Sequence, residues 1–304
     1  MGKIAFVFAG QGAQHSGMGK DFYDKSAAAK SVFDAAEALR PGTLKECFES
    51  EEAVLKETKN TQPDMFVVEL ATAAALAESG IRADMAAGFS LGELAALAYA
   101  GAGEFADMFR LVCKRGALMQ QAAEEQPTAM VAALKLSAED VEKLCEGFDN
   151  VYPVNFNCPG QVSCSGLADE IKAFSAAVKE AGGRAVPLKV KGGFHSPFMR
   201  DAAASFEKEL AAVTIQSLTI PVYANYNGEA YGSDVAETLA KQIASPVRWE
   251  TTVRNMIAAG VDTFIEIGPG DTLSGMIKRI DPSVRRYTTG TVEEFAKILE
   301  EVKA

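Results

Sequence analysis

The feature of this sequence that most restricts its fold is a serine between two glycines, in the stretch ADMAAGFSLGELAALAYAG at residues 83–101. Gly88 and Gly92 lie two residues on either side of Ser90, an apolar run precedes the turn, and an Ala- and Leu-rich pattern follows it. A Gly-x-Ser-x-Gly turn between a strand and a helix exposes the serine hydroxyl at the helix N-terminus. An oxyanion formed there could accept a hydrogen bond from the N–H of Leu91. The pattern alone leaves open whether the serine is a nucleophile or part of a tight turn.

The rest of the chain predicts an α/β fold with an insertion. Around the serine turn, the pattern favours an α/β-hydrolase-like parallel-sheet main domain, formed by residues 1–126 and 196–304. Between residues 128 and 190 the order βαββαβ is that of a ferredoxin-like unit, and we predict an inserted ferredoxin-like subdomain at 127–195. Within it, Ser137 can cap the first helix. The main-domain segments are predicted as strands at 3–9, 83–88 and 261–267 and helices near 19–39, 65–79, 91–100 and 104–123.

Composition excludes several functional classes. With 304 residues and 48% hydrophobic content, the chain can bury a large core, and no apolar run reaches the ~18 residues of a membrane span. The apolar run at the N-terminus is too short for a signal peptide. The five cysteines include no CxxC pair and favour a reducing cytoplasm. Two histidines in the whole chain argue against a zinc site. A net charge of −11 argues against nucleic-acid binding.

A serine nucleophile needs a base, and the chain offers only His15 and His195. His195 lies in KVKGGFHSPFM, where the chain leaves the predicted subdomain and re-enters the main domain. The small number of histidines does not by itself show whether His195 is a base or an ordinary loop histidine. Taken alone, Arg115 is typical of a solvated helix residue and Met119 of plain core. The loop at residues 10–12 could suit a nucleotide, but it lacks the Gly-x-Gly-x-x-Gly spacing.

Seven segments, in this order and spacing, carry a family resemblance that spans residue 4 to about 280. They are FVFAGQGAQHSGMGKDFY, GFSLGELAALAYAG, KRGALMQ, NFNCPGQVSCSG, GGFHSPFM, QIASPVRW and EIGPGDTLSGMIKRI. Together they resemble the malonyl-CoA:acyl-carrier-protein transacylases of bacterial fatty-acid synthesis and the related acyltransferase domains of polyketide synthases. The resemblance implies malonyl transfer from malonyl-CoA to the phosphopantetheine thiol of acyl carrier protein through a malonyl-serine, by a cytoplasmic monomer without metal or cofactor.

The resemblance also implies a role for each matching residue. Ser90 matches the nucleophile and His195 the base, which the backbone carbonyl of Gln242 orients in place of a carboxylate. The backbone N–H groups of Gln11 and Leu91 match the oxyanion hole. The substrate-binding residues implied are Arg115, which would pair with the malonyl carboxylate, with Met119, Phe194, Asn157 and Gln161. One position departs from the family, because Phe89 stands where histidine is usual; this bears on acyl selectivity and rate.

Acyl carrier proteins are typically acidic, so docking to this acidic chain requires a local basic patch. Two clusters qualify. The slightly favoured one consists of Lys278, Arg279, Arg285 and Arg286, and the other consists of Lys189 and Lys191. Three other functions remain open on the sequence. They are a trans-acting acyltransferase of a polyketide pathway, a thioester hydrolase, and a carrier-binding subunit without catalytic activity.

Overall fold

The computed structural model describes residues 2–190 and 192–302. The strands are β1 (Lys3–Phe8), β2 (Met85–Gly88), β3 (Thr128–Leu134), β4 (Val151–Cys158), β5 (Gln161–Leu167), β6 (Arg184–Pro187), β7 (Val222–Tyr223), β8 (Val261–Ile267) and β9 (Arg285–Thr288). The helices are α1 (Lys20–Lys25), α2 (Ala27–Leu39), α3 (Thr43–Glu49), α4 (Glu52–Leu55), α5 (Thr58–Glu78), α6 (Gly92–Tyr99), α7 (Phe105–Glu125), α8 (Ala138–Cys145), α9 (Ala168–Glu180), α10 (Arg200–Leu210), α11 (Val235–Gln242), α12 (Trp249–Ala258), α13 (Thr272–Ile280) and α14 (Val292–Glu301). A 3₁₀ turn at Pro197–Met199 precedes α10.

The main sheet has five parallel strands in the order β7-β2-β1-β8-β9. Strand β1 sits at its centre and is buried on both faces: Phe6 and Phe8 enter one hydrophobic cluster, Ala5 and Val7 the other. A continuous apolar run is typical of a parallel strand covered by helices on both sides. Because β1 and β2 pair with Phe8 opposite Gly88, the loops that follow these two strands begin side by side.

The second sheet has four antiparallel strands in the order β4-β5-β3-β6, with α8 and α9 packed against it. This is the predicted βαββαβ unit, so the α/β fold with a ferredoxin-like second sheet is confirmed. The Ser137 hydroxyl accepts from the N–H of Asp140 and caps α8 as predicted. Strand β4 is also tied to the main-domain chain, because the Val247 N–H donates to the Val154 carbonyl. The domain boundaries at 127 and 195 stay predictions.

Several element boundaries differ from the prediction. Helix α5 begins at Thr58 rather than near 65. The prediction missed its first turns because they contain Pro63 and buried polar residues such as Gln62, which interrupt the helical spacing of apolar residues. Strand β2 begins at Met85 and α6 at Gly92. The turn after α5 uses Gly80 at a positive φ of 86°. Among the described helices, none is long and apolar enough to cross a membrane.

Candidate active site

Ser90 lies in a sharp turn between β2 and α6, with a left-handed φ of 55°. The main chain packs closely around both flanking glycines. A Cβ at Gly88 would lie 1.9 Å from the carbonyl carbon of Gly92, and one at Gly92 would lie 2.4 Å from the Phe8 carbonyl oxygen. Neither position has room for a side chain. The turn therefore holds Ser90 in a conformation that serine rarely adopts, at the start of a helix.

His195 faces Ser90 from a loop that is distant in sequence. Its Nε2 lies 2.7 Å from Ser90 Oγ, across 105 residues of chain, and its Nδ1 lies 3.0 Å from the Gln242 carbonyl oxygen. When Nδ1 donates to that carbonyl, Nε2 is left to accept the serine proton. Burial, and then the nearby charge of Arg115, lower the pKa of His195 to about 4, so the ring is neutral near pH 7. The other histidine, His15, is exposed and lies against the Ser16 carbonyl.

Arg115 on α7 is fully buried and reaches the same serine oxygen. Its Nη2 donates to Ser90 Oγ at 3.2 Å and to Gln242 Oε1 at 2.8 Å, and its Nη1 donates to Gln62 Oε1 at 2.7 Å. Its Nε has no hydrogen-bond partner among the described residues. Burial lowers the pKa of Arg115 to about 10, which still leaves it charged near neutral pH. The site thus contains a buried cation beside the Ser90 hydroxyl oxygen.

The two amides matched to an oxyanion hole come from the adjacent loops after β1 and β2. A Cβ at Gly10 would lie 2.9 Å from the Phe89 ring, so the two loops are in contact. Within residues 2–190 and 192–302, the backbone N–H groups of Gln11 and Leu91 donate no hydrogen bond. The Gln11 side chain is turned instead to the Thr58 hydroxyl, at 3.3 Å. Both amides are therefore free to donate to a ligand.

The other predicted pocket residues divide into two groups. Met119 is buried beside Arg115, since the amide of Gln62 lies 3.4 Å from the Met119 sulfur, and Phe194 is buried directly before His195. Asn157 is buried and donates to Ser163, whereas Gln161 is part-exposed and accepts from Arg279. The hydrogen bonds of Asn157 and Gln161 do not connect them to the serine.

A cavity of about 830 Å³ lies next to the loops that hold the site, although Ser90, His195 and Arg115 are not among its lining residues. It is bordered by Thr58, which binds the Gln11 side chain, and by Gly192 of the loop that carries His195. Its other walls are Ala53, Lys56, Glu57, Gln120, Ala123, Glu124, Glu125, Gln126, Pro127, Thr128 and Lys189. It therefore runs along the junction between the main domain and the second sheet.

Several polar residues at the site were missed by the sequence analysis. The Asn225 side chain accepts from the Ser90 N–H at 2.7 Å and donates to the Gly88 carbonyl at 2.6 Å. Gln62 accepts a hydrogen bond from Arg115, and Glu93 is fully buried three residues after Ser90. A single buried asparagine, glutamine or glutamate has no local sequence signal. Among the described residues, no group of three or more His, Cys, Asp or Glu could hold a metal.

Phe89 packs against Trp249 and the loop after β1. Its ring meets Trp249 edge to face at 5.6 Å between centroids and covers Gly10. The aromatic ring at this position therefore supports the loop that carries Gln11.

Comparisons with known proteins identify the family. Residues 5–289 match the acyl transferase domain family. The whole chain is 39% identical to the malonyl CoA-acyl carrier protein transacylase of Bacillus subtilis (strain 168), covering 98% of that protein. The crystal structure of the transacylase of the same name from Clostridium perfringens Atcc 13124 superposes with a TM-score of 0.96 at 37% identity, with 99% of this chain and 97% of that chain covered. A malonyl-transacylase solved in complex with a type II polyketide synthase acyl-carrier protein has a TM-score of 0.94 at 32% identity, with 98% and 99% covered. The chain therefore belongs to the acyl transferase family and is related over its whole length to the malonyl CoA-acyl carrier protein transacylases.

Proposed function

We propose that this protein transfers a malonyl group from malonyl-CoA to the phosphopantetheine thiol of acyl carrier protein, through a malonyl ester of Ser90. The observation that carries the proposal is the position of one oxygen between two groups. Ser90 Oγ lies 2.7 Å from His195 Nε2 and 3.2 Å from Arg115 Nη2. The first group can take the serine proton, and the second can bind the free carboxylate of the acyl group.

In the first half-reaction, Ser90 Oγ attacks the thioester carbonyl while His195 Nε2 accepts the hydroxyl proton. The oxyanion accepts hydrogen bonds from the N–H groups of Gln11 and Leu91, which would each supply about 3 kcal/mol as in serine hydrolases. When the C–S bond breaks, coenzyme A leaves with the proton from His195. The Gln242 carbonyl, 3.0 Å from Nδ1, holds the tautomer and supports the imidazolium.

The second half-reaction reverses these roles. The phosphopantetheine thiol gives its proton to His195 and attacks the malonyl ester carbon, and collapse of the tetrahedral intermediate expels Ser90 Oγ. The serine recovers its proton from His195, and malonyl-acyl carrier protein leaves. Because every proton passes through one imidazole, the chemistry requires no metal or redox cofactor.

Arg115 gives the site its acyl preference. A guanidinium can hold a carboxylate by two parallel hydrogen bonds, and acetyl would leave this buried charge without a partner. Met119 and Phe194 bound the acyl pocket, with Asn157 and Gln161 contacting the substrate from the β4–β5 hairpin. The cavity at the domain junction, of about 830 Å³, is within the usual size of ligand sites and would admit the pantetheine arm.

The carrier protein would dock on the basic surface at the end of α13. Lys278 and Arg279 are exposed, and Arg279 is bound to uncharged acceptors, the Gln161 side chain and the Pro159 carbonyl. In contrast, Arg285 forms an ion pair with Asp262 at 3.0 Å, and Arg286 binds backbone carbonyls. Lys278 and Arg279 are therefore favoured over Arg285 and Arg286 as the docking residues. Of the alternative patch, Lys189 is exposed, and Lys191 lies outside the described residues.

Charge reversal at Lys278 and Arg279 tests this docking surface. We expect the double change to glutamate to raise KM for the carrier protein much more than KM for malonyl-CoA, because Arg279 reaches the malonyl-CoA site only through Gln161. Lys172→Glu, at an exposed lysine on α9, is the matched control. An unchanged KM for the carrier protein would remove this surface as the docking site.

The catalytic proposal is tested by steady-state transfer from malonyl-CoA to holo-acyl carrier protein. We expect parallel double-reciprocal lines, typical of a covalent intermediate, and slow malonate release when no thiol is present. Rapid malonate release without an acceptor would instead indicate a thioester hydrolase. We further propose that the enzyme acts as a cytoplasmic monomer in fatty-acid synthesis; a polyketide carrier protein offered as acceptor tests the alternative pathway, and sedimentation tests the monomer.

A further inference from the structure

Glu93 is a fully buried carboxylate that no step of the proposed mechanism uses. It lies in the first turn of α6, three residues after Ser90. Three donors converge on it. Gln242 Nε2 donates to Glu93 Oε2 at 2.8 Å, the Asn225 N–H lies 3.2 Å from both carboxylate oxygens, and the Tyr231 hydroxyl donates to Oε1.

Two of these donors hold the reacting residues directly. The Gln242 amide also donates to the Ser90 carbonyl at 2.7 Å, and the Gln242 backbone carbonyl holds His195 Nδ1 at 3.0 Å. The Asn225 side chain accepts from the Ser90 N–H at 2.7 Å. Glu93 is thus connected by hydrogen bonds to both Ser90 and His195, through a single intervening residue in each case.

The chemistry of a carboxylate suits this position. An ionised carboxylate only accepts, so it fixes which way the Gln242 amide points: the NH₂ group faces Glu93 and the Ser90 carbonyl, and Oε1 faces Arg115. Burial raises the pKa of Glu93 to about 7, whereas hydrogen bonds from Tyr231, Gln242 and Asn225 and the charge of Arg115 oppose that rise. The three donors and the buried cation therefore keep a large fraction of Glu93 ionised.

We propose that Glu93 is a positioning residue for acyl transfer, which holds Gln242 and Asn225 so that Ser90 and His195 stay aligned for proton transfer. This inference rests on the proposed function for its reaction, but alignment of the pair has consequences for any reagent that attacks through Ser90. A small shift of reacting groups can cost about 100-fold in rate.

Glu93→Gln is the direct test, because it keeps the shape and places an NH₂ group against donors. In single-turnover acylation, we expect the rate constant to fall about 100-fold with malonyl-CoA and with acetyl-CoA alike, with less than about threefold change in malonyl-CoA affinity. A wild-type rate in a folded E93Q protein would overturn the proposal. A loss confined to malonyl-CoA would also overturn it, since it would place the effect on Arg115.

Two control variants separate positioning from stability. Glu69→Gln changes another fully buried carboxylate, whose oxygens have no hydrogen-bond partner among the described residues, and should keep the acylation rate. Tyr231→Phe removes a donor that binds neither Ser90 nor His195 and should cost less than about fivefold, the loss of one hydrogen bond. If E93Q fails to fold, E93D keeps the charge but shortens the reach, and the same rate loss is expected.

A second readout is independent of malonyl transfer. Labelling of Ser90 by a fluorophosphonate needs only the Ser–His pair, so E93Q should slow it about as much as it slows acylation. Failure of the wild type to react with malonyl-CoA would refute the proposed function, while the labelling ratio would still test Glu93. An unchanged labelling rate in E93Q would refute the positioning role.

Discussion

The two loops that supply Ser90 and His195, the proposed reacting pair, are built differently. The serine loop (residues 88–92) and the histidine loop (residues 192–197) both hold their reactive residue at a positive φ, 55° for Ser90 and 60° for His195. In the serine loop a Cβ at either glycine would meet main-chain atoms within 2.5 Å. In the histidine loop, a Cβ at Gly193 would first meet the Phe198 side chain, at 2.8 Å.

This difference separates backbone restraint from side-chain restraint. Main chain in a packed sheet cannot move aside, whereas a phenylalanine side chain can change its position at modest cost. The serine loop is therefore restrained mainly by the main chain packed around its two glycines, to which the hydrogen bonds of Ser90 with Asn225 and Gln242 are added. The histidine loop depends on remote contacts, chiefly the Gln242 carbonyl on His195 and the Ser165 hydroxyl on the Phe194 carbonyl.

The largest expected effect contrasts one glycine from each loop. Gly88→Ala places a methyl group 1.9 Å from a backbone carbon, and we expect it to cost more than about 4 kcal/mol of unfolding free energy or to prevent folding. Gly193→Ala requires only that Phe198 shift and should cost about 1–3 kcal/mol. Urea denaturation of both variants measures the contrast. Equal losses would mean that the two loops are restrained in the same way.

The next effect concerns Arg115, which donates a hydrogen bond to Ser90 in the serine loop. We expect Arg115→Ala to lower the rate of Ser90 acylation by malonyl-CoA about 100-fold or more, the cost of removing one partner of a buried charge pair. Acylation by acetyl-CoA should fall much less, because acetyl has no carboxylate. Arg110→Ala, at an exposed arginine on the same helix, is the control. An equal loss for both thioesters would contradict the role in acyl selection.

A smaller effect is the pH dependence of acylation that His195 sets. His195 has a pKa of about 4, so its own protonation should lower acylation only below about pH 4, by about tenfold per unit. A fall between about pH 8 and 6 would instead follow protonation of Glu93, whose pKa is about 7, and should be absent in E93Q. The unfolded pKa is near 6.5, so between about pH 4 and 6.5 the unfolded chain binds more protons and the stability contributed by His195 is lost as pH falls.

The same profile tests the cause of the low pKa. Arg115→Ala removes a nearby positive charge and should move the acid limb of acetyl-CoA acylation to higher pH. An acid limb that stays in place would assign the low pKa of His195 to burial alone. A midpoint near 6.5 that persists in E93Q, where Glu93 no longer titrates, would contradict the buried position of the ring.

The smallest expected effect is at Phe89, beside the serine loop. The Phe89 ring packs on Trp249 and Gly10, so Phe89→His should change acylation rates less than about tenfold and cost about 1 kcal/mol of stability. Ratios of malonyl to acetyl and methylmalonyl acylation check it. A change of acyl preference by more than tenfold would mean that residue 89 contacts the substrate.

The same contrast explains what the sequence could predict. The serine turn and the βαββαβ unit are encoded by local patterns, and both were predicted from residues alone. The juxtaposition of His195 and Gln242 came from the family resemblance, since no local pattern brings together residues 47 positions apart. Asn225 and Glu93 escaped prediction, because a buried polar residue is distinguished only by the partners that the fold brings to it.

The central claim is that Ser90 carries the malonyl group, and intact-protein mass spectrometry after brief mixing with malonyl-CoA tests it most directly. The account predicts one malonyl adduct on the wild-type chain, lost again when a phosphopantetheine thiol is added, and no adduct on Ser90→Ala. A malonyl adduct that persists on Ser90→Ala would contradict it.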